Sequence, residues 1–300
     1  AEVGDSINAA VRVNATELRA RVVGEGGNLG FTQRARIELG LAGGRLNTDA
    51  IDNSAGVDTS DHEVNLKIAL QPLVASGALT TDDRNHLLGE LADDVAGLVL
   101  EHNRSQSRAI SRDQRRSQTQ LVEFREMMAE FEASGLLDRT LEGLPDRETL
   151  RARRATFLGL TRPELAVLLA YAKMHVARLL GGDVVCEDPY LEQVLFAYFP
   201  PRLVERCRDA IRVHRLRREL IATTLTNTIV DLMGTTFVTR TVRESGATAP
   251  EVARAFVVIE ALTGAQALAA RAGEAGPEGE VRYLDTLVAA VERAVRWLLA

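Results

Sequence analysis

Apolar residues follow two regimes along this chain. Up to about residue 75 they come in short groups between glycine-rich and polar stretches. Beyond it they recur at the three- and four-residue intervals of helices with one buried face. Leu87, Leu88, Leu91, Val95, Leu98 and Val99 predict a helix that Thr80 or Thr81 caps and that reaches about Glu101. Further helices are expected over about 111–134, stopping at Ser134-Gly135, and from Thr161-Arg-Pro-Glu164 to Gly181-Gly182. The second has a strong start signal: a cap, an early proline and an acid at the third position. A shorter helix begins at Asp188-Pro189 and ends at Pro200-Pro201, a long one covers about 202–233 with Gly234 as its stop, and two or three more complete the chain. Trp297 is expected to anchor the last.

The front is mixed. Val22-Val23 and Leu46 to Ile51 suit short strands, Thr32 caps a helix over 33–41 that Gly43-Gly44 ends, and Asn53 to Gly56 reads as a turn. A further helix is expected from Thr59 or Ser60 to about Ala75, with Ser60 and Glu63 at capping-box spacing and Pro72 disturbing its end. The pattern therefore predicts an α/β unit over 1–75 and a helical domain over 76–300, predominantly helical overall. The opening, without methionine, reads as text from within a longer polypeptide.

Composition narrows the functional classes. Of 300 residues, 46% are hydrophobic and 26% charged, and 36 basic against 42 acidic residues give a net charge of −6. These are globular values, and the acidic balance argues against nucleic acid or acidic membranes as partners. The basic run Arg202 to Arg218 is interleaved with Glu205, Asp209 and Glu219 on an amphipathic pattern, as a solvated or subunit-facing helix would be. Cys186 and Cys207 lack metal-ligand spacing and read as free thiols. No apolar run reaches membrane-spanning length and no signal peptide is present, so the chain reads as soluble and cytoplasmic.

Two segments carry candidate chemistry. GEGGNLG, Gly24 to Gly30, offers successive backbone N–H groups as a nest for an anion or nucleotide, but it is neither GxGxxG nor a Walker loop, and a purely structural turn explains it as well. Asn47 to Lys67 crowds Asp49, Asp52, Asn53, Asp58, Ser60, Asp61, His62, Glu63 and Asn65 around one glycine. A calcium loop fails on ligand order and a zinc site fails because only His62 lies in the window without HExxH. A polar pocket beside a strand end competes with plain turn and cap duty, and no metal site is expected. His86, His102, His175 and His214 read as surface or satisfied core residues.

These segments, VVGEGGNLGFTQRARIE and GGRLNTDAIDNSAGVDTSDHEVNLKI, together with LTRPELAVLLAYAK and YFPPRL further on, strongly resemble the large NAD-specific glutamate dehydrogenases over essentially the whole chain. The resemblance implies NAD as cofactor and L-glutamate or 2-oxoglutarate as substrate. It further implies that residues 1–75 are a Rossmann-like remnant of the nucleotide-binding domain, and that the rest is a helical extension that packs on the same polypeptide and builds a homo-oligomer. By it, Gly26, Gly27, Asn28 and Asn53 face the cofactor, and Val57, Ser60 and Asn53 face the substrate. The family's catalytic lysines, its aspartate and its pyrophosphate fingerprint have no counterpart here. Lys67 and Lys173 sit in helical text, so no catalytic residue is assigned and the chain alone is expected to be inactive. The competing expectation is a helical scaffold or oligomerisation module without ligand.

Overall fold

A computed structural model describes residues 9–27, 30–272 and 276–300. In chain order the helices are α1 (Gln33–Leu41), α2 (Asp49–Asp52), α3 (Ser54–Ala75), α4 (Thr81–Glu90), α5 (Ala92–Thr119), α6 (Leu121–Ala133), α7 (Arg147–Ala155) and α8 (Arg162–Gly181). They continue with α9 (Glu192–Tyr198), α10 (Pro201–Arg212), α11 (Arg217–Met233), α12 (Phe237–Ser245), α13 (Ala249–Thr263), α14 (Ala265–Ala270) and α15 (Gly276–Leu299).

The expected α/β character of the front does not hold. Among the described residues there is no strand, only an isolated parallel bridge between Val22 and Arg45. Two hydrogen bonds make it: Val23 N–H donates to the Arg45 carbonyl and Arg45 N–H to the Arg21 carbonyl, each at 2.9 Å. Parallel pairing is stable where several strands share it and both faces are covered. Here no third segment joins among the described residues and Val22 is 69% exposed. Leu46 to Ile51 does not extend the bridge, because Thr48 turns the chain into α2 and its last apolar residue, Ile51, is buried from a helix. The Rossmann-like expectation falls with the sheet.

The chain divides into two compact units. The first comprises residues 1–54 and 113–168 and the second 55–112 and 169–300, so the divisions fall within α3, α5 and α8. In the first, Ala15, Leu39 and Leu46 form a small cluster. On α6 of the same unit, Phe124, Met127, Met128 and Phe131 lie buried, as three- and four-residue spacing requires. In the second, one continuous core joins Leu66, Leu70, Leu91 and Val99 to Leu195, Phe199, Ile221, Ile229, Phe256 and Val295.

Local signals account for most boundaries. Thr32 Oγ1 accepts from the Ala35 N–H at 3.2 Å and Thr80 Oγ1 from the Asp83 N–H at 3.1 Å. At α8, Glu164 Oε2 accepts from the Thr161 N–H at 2.7 Å. Gly234 follows α11 at φ +94°, a backbone angle that side-chain-bearing residues rarely adopt. Other boundaries differ from expectation. The helix expected up to Glu101 breaks at Leu91, and the one expected over 111–134 is α5 running to Thr119 followed by α6. Residues 202–233 are two helices rather than one. Trp297 anchors nothing within the described chain, being 76% exposed. No helix among the described residues is long and apolar enough to cross a membrane.

Candidate functional site

The first polar segment is tied to the second inside one unit. Glu25, in the glycine-rich turn, is buried and holds α1 through Arg36: Nε donates to Oε1 at 2.6 Å and Nη2 to Oε2 at 2.7 Å. The Glu25 N–H donates to Asp52 Oδ2 at 3.2 Å. Arg36 also reaches Asp49 Oδ1 at 3.1 Å. Asp52 Oδ1 accepts from Asn47 Nδ2 at 2.8 Å, and Asn47 Oδ1 accepts from Arg162 Nη2 at 2.8 Å. Burial pushes the Arg162 guanidinium down more than Asp52 raises it. The two arginines are thus matched by carboxylate and amide groups.

Of the expected cofactor residues, Gly26, Gly27 and Asn53 stand beside this network. Gly26 and Gly27 follow Glu25 in an open bend, with nothing among the described residues within 4 Å of where a side chain would begin. Asn53 is the single turn residue between α2 and α3, and its N–H donates to the Asp49 carbonyl at 2.7 Å. Asn28 lies outside the described residues.

Of the expected substrate residues, Val57 and Ser60 lie on α3 in the second unit, and Asn53 precedes α3 in the first. The predicted Asn53 to Gly56 turn is largely helix: α3 already starts at Ser54, and Gly56 falls in its first turn, where backbone N–H groups have no intrahelical partner anyway. Ser60 is therefore not a cap. It is exposed, and its hydroxyl donates to the Val57 carbonyl at 2.8 Å. Val57 is 71% exposed.

A second constellation, within the α3-bearing unit, escaped the sequence. Asp58 and His62 are one turn apart on α3, and α5 brings His102 to them. His102 Nδ1 lies 2.8 Å from Asp58 Oδ2, and His62 Nε2 lies 3.7 Å from Asp58 Oδ1. The His62 ring stacks between His102, at 5.8 Å, and Tyr198, at 4.4 Å. Tyr198 Oη donates to Asp61 Oδ2 at 2.7 Å and accepts from Asn65 Nδ2 at 3.0 Å. Burial depresses the pKa of His62 more than Asp58 raises it, which favours its neutral form. Burial raises the Asp58 carboxyl, but the hydrogen bond and charge of His102 outweigh it and leave Asp58 below the ordinary carboxylate value. The signal that could have found this group is the four-residue spacing of Asp58 and His62. The position of His102 depends on the packing of α5.

The remaining candidates are accounted for locally. Lys67 pairs with Glu63 one turn earlier on α3, and Lys173 with Asp231 at 2.8 Å. In the basic run, Arg202 meets Asp94, Arg206 meets Glu90, and Arg217 and Arg218 meet Glu187. Both cysteines are free thiols.

Comparison with known proteins places the chain. Residues 1–113 match the family described as bacterial NAD-glutamate dehydrogenase, catalytic domain, and residues 158–300 match glutamate dehydrogenase, C-terminal. The chain is similar to the NAD-specific glutamate dehydrogenase of Pseudomonas aeruginosa, 48% identical over 259 residues that cover 86% of this chain and 16% of that protein. The Halomonas elongata protein of the same name is 45% identical over 258 residues, with the same shares. That of Mycobacterium tuberculosis is 40% identical over 303 residues, covering 100% of this chain and 18% of the relative. The chain belongs to the NAD-specific glutamate dehydrogenase family. It corresponds to catalytic and C-terminal regions and spans about a sixth of the length of these relatives.

Proposed function

We propose that this chain is part of an enzyme interconverting L-glutamate, NAD and water with 2-oxoglutarate, ammonium and NADH, and that it supplies binding surfaces rather than reacting groups. The observation that supports this best is the Glu25 to Asp52 hydrogen bond. It sets the open Gly26-Gly27 bend beside the segment that ends in Asn53, within one compact unit.

In this reading Gly26, Gly27, Asn28 and Asn53 bind the nicotinamide-ribose end of NAD, which accepts the hydride. Val57, Ser60 and Asn53 contact the amino acid. The buried Glu25–Arg36 fork fixes the bend, so that its amides are preorganised rather than ordered by the ligand. Neither lysine serves a substrate carboxylate, because each already has an acidic partner. The helical residues of 76–300 pack against the rest of the polypeptide and build the oligomer.

One observation favours a second reading, a helical scaffold without ligand: the Ser60 hydroxyl is satisfied by its own helix. Steady-state kinetics of a glutamate dehydrogenase containing this chain distinguish the two. Ser60→Ala raises KM for glutamate if Ser60 meets substrate and leaves it unchanged if the helix is scaffold. The isolated 300-residue chain is expected to show no glutamate-dependent NAD reduction, and turnover by it would refute the claim that the reacting groups lie elsewhere.

A further inference from the structure

His62 is fully buried, and neither ring nitrogen has a hydrogen-bond partner among the described residues. A neutral imidazole carries one N–H and one lone pair, and leaving both without a partner in the interior is costly. The other buried histidine of this unit provides a comparison. His214 Nε2 meets the Asn65 carbonyl at 3.1 Å and Nδ1 accepts from the Leu216 N–H at 3.1 Å, so both of its nitrogens are used. His62 instead faces a carboxylate and a second imidazole.

We propose that Asp58, His62 and His102 form a binding site for one divalent transition-metal ion, zinc being the expected occupant, with water completing its coordination. The three ligand atoms lie within 4.8 Å of one another. Atoms each about 2.0–2.2 Å from a tetrahedral zinc are about 3.4 Å apart. The 3.7 Å between Asp58 Oδ1 and His62 Nε2 is close to that edge. The 2.8 Å between Asp58 Oδ2 and His102 Nδ1 is a hydrogen bond, which lengthens slightly when a metal replaces its proton. An Asp-x-x-x-His pair on α3 presents two ligands from one helical face, as His-Glu-x-x-His does in zinc enzymes.

The surroundings suit a cation with an open position. Asp58 and His102 keep 22% and 38% of their side-chain surface exposed, which leaves a route for metal and water. Asp61 adds a negative charge that His62 senses. Lys173, the nearby cation that acts on Asp58, is matched by Asp231. Tyr198 lies across the face of His62 and is held by Asp61 and Asn65, so the imidazole plane is set before any ion arrives. A metal on Nε2 gives the buried lone pair its partner and leaves one N–H.

The test uses the 300-residue protein without a histidine tag, stripped with chelator and dialysed against zinc or cobalt(II). One equivalent of either metal per chain is expected, with visible cobalt absorption of a nitrogen- and oxygen-ligated tetrahedral or five-coordinate ion. His102→Gln and Asp58→Asn are the variants of choice because both positions are partly exposed. Each should weaken binding at least about tenfold, the smaller loss that even supporting groups around a metal cause, while the circular dichroism spectrum stays unchanged. Absence of stoichiometric uptake by the unsubstituted protein would overturn the proposal. So would uptake that both variants retain, which would place the ion on Cys207 or the surface.

Discussion

Glu25 and Arg36 meet as a two-bond fork in which the carboxylate side chain is 2% and the guanidinium side chain 7% exposed. The glycine-rich bend is thereby fastened to α1, and through the Glu25 N–H to Asp52. Removing one partner of a buried ion pair leaves the other charge desolvated and costs about 3–5 kcal/mol. Arg36→Ala should therefore lower the unfolding free energy of the unit containing α1, read from urea denaturation, by about 3–5 kcal/mol. Arg36→Lys should recover only part of it, since an ammonium cannot form the fork. A loss below about 1 kcal/mol, the size of a surface pair, would contradict this account.

Glu164 serves two structures at once. It accepts from the Thr161 N–H and Oγ1 at the start of α8, and it holds Arg153 of α7 through contacts of 2.7 and 3.0 Å. Glu164→Gln keeps the size but removes the charge, so the cap persists weakly while Arg153 is left buried without a counter-ion. Equilibrium unfolding should show a larger loss for Glu164→Gln than for Thr161→Ala, where about 1 kcal/mol of capping is at stake. Equal losses would mean that the cap, not the pair, dominates.

His214 makes stability depend on mild acid. Burial depresses its pKa more than the Asn65 carbonyl raises it, and the Leu216 N–H needs Nδ1 unprotonated. A histidine with a folded pKa below the unfolded value of about 6.5 binds more protons when unfolded. Its contribution is complete above about pH 6.5 and is lost as the pH falls from there toward the folded value. Denaturation midpoints should fall between pH 7.5 and 5.5, less steeply in His214→Gln. Parallel slopes for the two proteins would exclude His214 as a source.

Cys186 is predicted to be unreactive. Burial pushes its thiol up to about 11, and the thiol donates to the Leu180 carbonyl. Thiolate is the reacting form, so aromatic disulfide reagents at pH 8 should not label Cys186 until denaturant is added. Rapid native labelling at Cys186 would show that this part of the core opens.

What could be read in advance was local. The Thr161–Glu164 signal is a three-residue relation and predicted the start of α8 correctly, as Thr32 and Thr80 did for α1 and α4. Glu164's second partner, Arg153, depends on how α7 meets α8 and left no pattern in the chain. The same distinction explains the break between α10 and α11. There His214 turns inward to the Asn65 carbonyl, a contact 149 residues away in sequence. The front reads as strands because the apolar pair Val22-Val23 and the short stretch Leu46 to Ile51 suit them, yet strand propensity lapses without neighbours to pair with. Of the candidate site, the glycine bend and Asn53 were visible as polar punctuation. His102 was not, because it reaches Asp58 across 44 residues.

The central claim is that the bend after Glu25 and the segment ending in Asn53 meet the nicotinamide end of NAD. The most direct measurement is titration of NAD into the 15N-labelled 300-residue protein, followed through its backbone amide resonances. The account predicts saturable shifts centred on Gly26, Gly27 and Asn53, reduced in Arg36→Ala, which unfastens the bend. Spectra that stay unchanged at millimolar NAD, or shifts that fall only on distant helices, would contradict it.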